Sequence, residues 1–140
     1  MTIPLSLSFV AAISATLFSW CPTVQPSKNS HAASEHAVLV HLRLSDDRFG
    51  TRQEMDAIHA LSDRLEARIL EAKVGEFDGD EFGEGECTLY MYGPDADALF
   101  SAIERELRTS PLSRGAWVIK RYGAADDSTA KQIRLNLDAG

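Results

Sequence analysis

The sequence predicts an α+β fold, a ferredoxin-like βαββαβ sandwich with one extra C-terminal strand, in which two helices cover one face of an antiparallel sheet. Two segments have apolar residues at helical spacing, and several others alternate apolar and polar residues with the period of a strand. These segments follow one another as strand, helix, hairpin, helix, hairpin. The first and third strands are then central and the second is an edge. A less regular α+β roll is the alternative, because the extra strand allows several sheet orders.

The first strand is predicted in the segment HAVLVHLRL. Val38, Val40 and Leu42 share one face of such a strand, and His41 and Arg43 share the other. This period of two is typical of a strand with one covered face.

A helix is predicted over residues 52–72. Thr51 and Glu54 have the spacing of a capping box, in which a hydroxyl and a carboxylate accept hydrogen bonds from backbone NH groups at the helix start. The apolar stripe of this helix consists of Met55, Ile58, Leu61, Leu65, Ile69 and Ala72.

The second half of the chain contains a strand, a helix and a final hairpin. In ECTLYMYG, the apolar positions Cys87, Leu89 and Met91 alternate with polar or tyrosine positions. Pro94 suits the first turn of the following helix, because its missing NH has no helical partner there. The stripe of that helix is Leu99, Phe100, Ile103 and Leu107. The segments AWVIKRYG and KQIRLNL are predicted as the last two strands.

Composition limits the number of domains and the class of partner. A chain of 140 residues with 44% hydrophobic content is enough for one domain, predicted over residues 36–140. This part of the chain has 13 basic and 20 acidic residues, which makes nucleic acid a poor partner. Cys21 and Cys87 form no CxxC motif, so no structural metal, cofactor or disulfide framework is predicted.

Residues 1–35 differ from the rest of the chain. No charged residue occurs before Lys28, and LSLSFVAAISATLFSW resembles the central region of a secretion signal, although the usual positive start is missing. An export signal, a disordered or non-native extension and a membrane anchor are all compatible with this leader. The apolar run is marginal for a span of about 20 residues. A cytoplasmic location is favoured over export.

The acidic stretch GEFDGDEFGEGE is the first candidate site. It lacks the positions of an EF-hand calcium loop, which needs Gly at its sixth position and Glu at its twelfth. From Glu76 these positions are Glu81 and Cys87, and from Asp78 they are Gly83 and Leu89. On a regular strand, Glu76, Asp78 and Asp80 share one face at intervals of about 6.6 Å. These carboxylates of the Glu76 to Glu86 hairpin, with His41 nearby, form the basis of a hydrolase-type alternative, and a cation-binding hairpin is another.

Protection of an edge strand explains more of the same residues. Charged side chains and glycines are common devices against pairing with another molecule. A bulge at Gly79 would bring both Phe77 and Phe82 to the core, and Gly83-Glu84-Gly85 would supply the chain reversal. No catalytic residue is assigned, because no recognisable catalytic constellation is present.

The run GEFDGDEFGEGECTLYMYGPDADALF, residues 75–100, resembles small bacterial α+β domains of unassigned function. The resemblance covers the hairpin and the second helix. It implies an α+β fold and no catalytic residue.

The sheet face without helices is the second candidate site. The fourth strand adds either Trp117 and Arg121 or Val118 and Lys120 to it, and the first pair is favoured because Trp and Arg are common at interfaces. The predicted interaction surface consists of His41, Arg43, Tyr90, Tyr92 and Trp117. Plain packing between strands is the alternative for these aromatic residues.

RNA binding is disfavoured because GECTLYMYG lacks the RNA-recognition signature and the domain is acidic. The favoured function is therefore a non-enzymatic binding or regulatory domain. Its expected partner is another protein or a second copy of the chain.

Overall fold

The computed structural model describes residues 35–137. The predicted leader lies outside the described residues except for Glu35. The elements are β1 (His36–Arg43), α1 (Arg52–Ala72), β2 (Glu76–Gly83), β3 (Glu86–Gly93), α2 (Ala96–Thr109), a short 3-10 helix (Pro111–Ser113), β4 (Trp117–Tyr122) and β5 (Lys131–Asn136). Within residues 35–137, no helix has the length and apolar character needed to cross a membrane.

The five strands form one sheet in the order β2-β3-β1-β4-β5, and every neighbouring pair is antiparallel. The predicted α+β class is confirmed. Strands β1 and β3 lie inside the sheet, and β2 lies at one edge. The extra strand β5 forms the other edge, beside β4.

The core lies between the sheet and the two helices. The buried side chains of α1 and α2 join those of one sheet face in a single cluster, as the helical and alternating patterns predict. From the strands this cluster includes Val38, Val40, Leu42, Cys87, Leu89, Met91 and Val118. The opposite sheet face has no helix against it in the described part of the chain.

Side chains fix the start of each helix. The capping box predicted at α1 is present, with the Thr51 side chain accepting from the backbone NH of Glu54. Helix α2 begins at Ala96 and is capped by the Asp95 carboxylate, which accepts from the NH groups of Asp97 and Ala98. Pro94 therefore precedes the cap, and the prediction that it lies in the first turn is wrong. The Asp95 cap satisfies two NH groups, which moves the helix start beyond the proline.

The bulge predicted in the acidic strand is present. The pairing of β2 with β3 shifts register between Phe77 and Gly79, and Gly79 has a φ of 150° that disfavours any side chain. Both Phe77 and Phe82 pack against the core. The hairpin turns through Glu84 and Gly85, both with positive φ, as in a two-residue turn of type I′.

The same bulge contradicts the prediction that Glu76, Asp78 and Asp80 share one face. Glu76 is paired with Tyr92, on the side without helices. After the extra residue, Asp80 is paired with Leu89 and lies on the helix side, where its Oδ2 atom is 3.6 Å from Nε2 of His59. One inserted residue exchanges the faces of all later side chains in a strand, so Asp80 is separated from Glu76.

Candidate functional site

The open face is the sheet surface opposite the helices. Directly paired residues of neighbouring strands project on the same side of a sheet. His41 on β1 is paired with Thr88 on β3 and with Trp117 on β4. Alternate residues along each strand share its side. The five residues predicted as an interaction surface therefore lie together on the open face: His41, Arg43, Tyr90, Tyr92 and Trp117.

The contribution of β4 agrees with the favoured prediction. Arg121 is paired with Ala37 and lies on the open face with Trp117. Val118 is fully buried in the core, and the Lys120 ammonium contacts the Asp97 carboxylate of α2 on the other side.

Trp117 is the centre of a stacked cluster. The imidazole of His41 lies parallel to its indole, with ring centroids 4.9 Å apart and an interplanar angle of 6°. The guanidinium carbon of Arg134 is 4.4 Å from the centroid of the Trp117 ring, and that of Arg43 is 5.6 Å away. Cations at these distances are attracted by the negative face of the ring. The indole is therefore held by three neighbours and is only partly exposed.

Sequence reasoning missed Arg134. The alternation in KQIRLNL places Ile133 and Leu135 on one side of β5 and Arg134 on the other. That signal indicates the open face, and the predicted final hairpin pairs this strand with β4, but neither gives the register of the pairing. The pairing of Ile119 with Arg134 is what brings the guanidinium beside Trp117.

His41 has one nitrogen in polar contacts and one that is covered. Its Nδ1 atom is 3.2 Å from Oε1 of Glu86 and 3.2 Å from Oγ1 of Thr88. Its Nε2 atom is buried and has no hydrogen-bond partner among the described residues. The two Nδ1 contacts and the stacking on Trp117 fix the orientation of the imidazole on the open face.

A shallow acidic cleft of about 400 Å³ opens beside His41. It is lined by His41, Glu81, Gly83, Glu84, Glu86, Thr88 and Tyr90. The Tyr90 hydroxyl donates to Oε2 of Glu81 over 2.8 Å, and this bond raises the pKa of Tyr90. Three carboxylates and no Lys or Arg side chain line the cleft, which suits a positively charged group.

Charges of opposite sign occupy opposite halves of the open face. The acidic half, on β2 and β3, carries Glu76, Glu81 and Glu86. The basic half, on β4 and β5, carries Arg121 and Arg134, and Arg43 lies between the halves on β1. Asp78 is left unpaired at the bulge, and its charge helps to raise the pKa of Tyr92, after the larger effect of burial.

The carboxylates do not form a metal centre within residues 35–137, where no group of three or more His, Cys, Asp or Glu side chains is placed to hold an ion. Asp80 is on the helix side and cannot join Glu76 and Asp78 in a shared site.

Comparisons with protein-family models, with curated proteins and with solved structures found no match for this chain.

Proposed function

We propose that this chain is a small non-enzymatic binding or regulatory domain that contacts another protein through the open face. The cluster around Trp117 carries the proposal. Trp and Arg dominate the energetic centres of protein interfaces, and here two guanidinium groups and a stacked imidazole surround one indole. No element among residues 35–137 covers this cluster.

The packing of the open face supports a binding role. Trp117 is stacked against His41, and the Tyr90 hydroxyl is held by Glu81. Side chains that are fixed before association lose little conformational entropy when a partner binds. Plain packing between strands explains the contacts themselves. It does not explain why partly exposed aromatic groups and separated charges occupy the uncovered face.

The edge position of β2 accounts for the remaining acidic residues. Glu76, Asp78 and Glu81 lie along an edge strand, and the bulge at Gly79 bends it. Charges and bulges of this kind prevent a second strand from pairing with the edge. We therefore propose that association uses the open face and not the β2 edge.

We also propose that the fold is a ferredoxin-like sandwich extended by β5. The order β2-β3-β1-β4 of the first four strands and the helices that follow β1 and β3 support it.

Site-specific photo-crosslinking in the source cells tests the binding role. Gln132 is exposed on β5 and is paired with Arg121 on the open face, so a photoreactive side chain there would touch a partner. Leu70 on α1 is 60% exposed on the helix side and is the matched control position. We expect a discrete protein adduct from position 132 and not from position 70, and we expect Tyr90→Ala with Tyr92→Ala to reduce it. Equal adducts from both positions, or none from position 132, would contradict the proposal.

A further inference from the structure

We propose that the partner is a second copy of this chain, packed open face to open face about a two-fold axis that runs parallel to β1. The acidic half of each copy then covers the basic half of the other. This inference rests on the proposed binding role of the open face and identifies its occupant.

The distribution of charge is the first argument. The open-face positions of β2 and β3 include no Lys or Arg, and those of β4 and β5 include no Asp or Glu. The chain as a whole has a formal charge of −7, yet the basic half of this face carries only arginines as its charged groups. A face with both signs in separate halves is complementary to itself, as a two-fold interface requires.

The choice of axis follows from the strand order. One possible two-fold axis lies in the plane between the two sheets and runs perpendicular to the strands. It would place each strand opposite the same strand of the second copy, so that Glu81 would lie near the acidic half of that copy. An axis parallel to the strands reverses the lateral order, so that β2 and β3 face β4 and β5. Because β1 is the middle strand of five, this axis passes over β1. Only the second arrangement brings opposite charges together.

The axis passes over the open-face residues of β1, which are Ala37, Leu39, His41 and Arg43. The apolar part of the axis lies at Ala37 and Leu39, and Arg43 of each copy lies near its counterpart at one end of the interface. The row across the open face contains Tyr90, Leu39, Ile119 and Arg134 as successive neighbours on β3, β1, β4 and β5. Rotation about the axis places Leu39 against Leu39 of the second copy and Tyr90 against Ile119. Arg134 then reaches the acidic edge near Glu81. An apolar centre with a charged rim is the common anatomy of a protein interface.

The size of the face predicts a weak dimer. Five strands at about 4.8 Å spacing and about six residues at about 3.3 Å give a footprint of about 500 Å² for each copy. The two footprints together, about 1,000 Å², are at the lower limit for a specific interface. We therefore expect reversible association that weakens in about 1 M salt, where the Debye length falls to about 3 Å.

Charge reversal in the full chain tests the pairing. We expect Arg134→Glu alone and Glu81→Arg alone each to weaken self-association at least about tenfold, because each change puts like charges together. An equimolar mixture of the two variants restores both contacts in a mixed dimer, and we expect its affinity to approach that of the unchanged chain. The matched control is Arg108→Glu on α2, where the Arg108 Nε atom lies 2.8 Å from Glu104 on the helix side. Sedimentation velocity measures all five samples, including the unchanged chain, with circular dichroism to show that each variant is folded.

Three results would overturn the inference. The first is an unchanged chain that stays monomeric at about 100 µM in low salt. The second is self-association that is as strong in Arg134→Glu and in Glu81→Arg as in the unchanged chain, which would assign it to another part of the chain, such as the apolar residues before β1. The third is a mixture that associates no better than the single variants. The chain could also be strictly monomeric while the photoreactive side chain at position 132 forms an adduct with another protein. That result would refute the proposal that the partner is a second copy, and the binding role of the open face would stand.

Discussion

The imidazole of His41 and the indole of Trp117 are cross-strand neighbours and stack face to face, with their ring centroids 4.9 Å apart. We expect Trp117→Ala to lower the free energy of unfolding by about 2 kcal/mol, because a large aromatic surface loses its packing. Trp117→Phe keeps a ring against His41 and is expected to cost less. Urea denaturation followed by far-ultraviolet circular dichroism measures both. Equal losses for the two variants would show that the stack is not the source of the stability.

The close approach of the segment before β2 to the end of β3 leaves no space for a side chain at Gly93. A Cβ atom at Gly93 would lie 2.3 Å from the carbonyl oxygen of Val74, which is backbone and cannot rotate away. We expect Gly93→Ala to reduce the free energy of unfolding by about 1–3 kcal/mol. Gly83→Ala on the same hairpin is the control, because a Cβ there meets nothing within 4 Å, and we expect a change within about 0.5 kcal/mol. Similar effects at both glycines would contradict the close approach.

Glu54 accepts hydrogen bonds at the start of α1, and they lower its pKa from 4.5 to about 2. The backbone NH of Thr51 is the largest cause, followed by the hydroxyl of Ser45. A lowered pKa means that the ionised group stabilises the fold above pH 4.5 and that this contribution is lost as the pH falls towards 2.

We therefore expect Glu54→Gln to lower Tm above pH 4.5, with a difference from the unchanged chain that shrinks as the pH falls below that value. Thermal melts across this pH range are the measurement. Glu66→Gln, an exposed position on the same helix, is the control and is expected to change Tm little. A difference for Glu54→Gln that is constant with pH would rule out the ionised cap.

Cys87 is fully buried on β3, and burial is the main cause that raises its pKa to about 12, with a further contribution from the charge of Asp80. The thiolate is the reactive form, so we expect Cys87 to resist alkylation in the folded chain. The experiment uses Cys21→Ser, which removes the other thiol. Mass spectrometry should find no modification at mildly alkaline pH without denaturant and complete modification in urea. Rapid labelling of the folded chain would show that β3 opens readily or that the thiol is accessible.

The sequence alone determined the helices and strands, because their signals are local. The period of two in HAVLVHLRL, the capping pair Thr51 and Glu54 and the stripe of α1 depend on side-chain spacing within one segment. The same alternation placed His41, Arg43, Tyr90 and Tyr92 on one face before the sheet was known. The turn at Glu84 and Gly85 was also predictable, because positive φ favours glycine.

Tertiary structure decided which segments are neighbours and which charges meet. The spacing of Phe77 and Phe82 predicted the bulge at Gly79, but the contact of Asp80 with His59 depends on the packing of β2 against α1, which no local pattern contains. Arg134 reached Trp117 only because of the register in which β5 pairs with β4 at the sheet edge. Strand pairing joins residues that are distant in sequence. The division of the open face into an acidic half and a basic half therefore follows from the order of the strands in the sheet. The alternation within each strand does not contain that order.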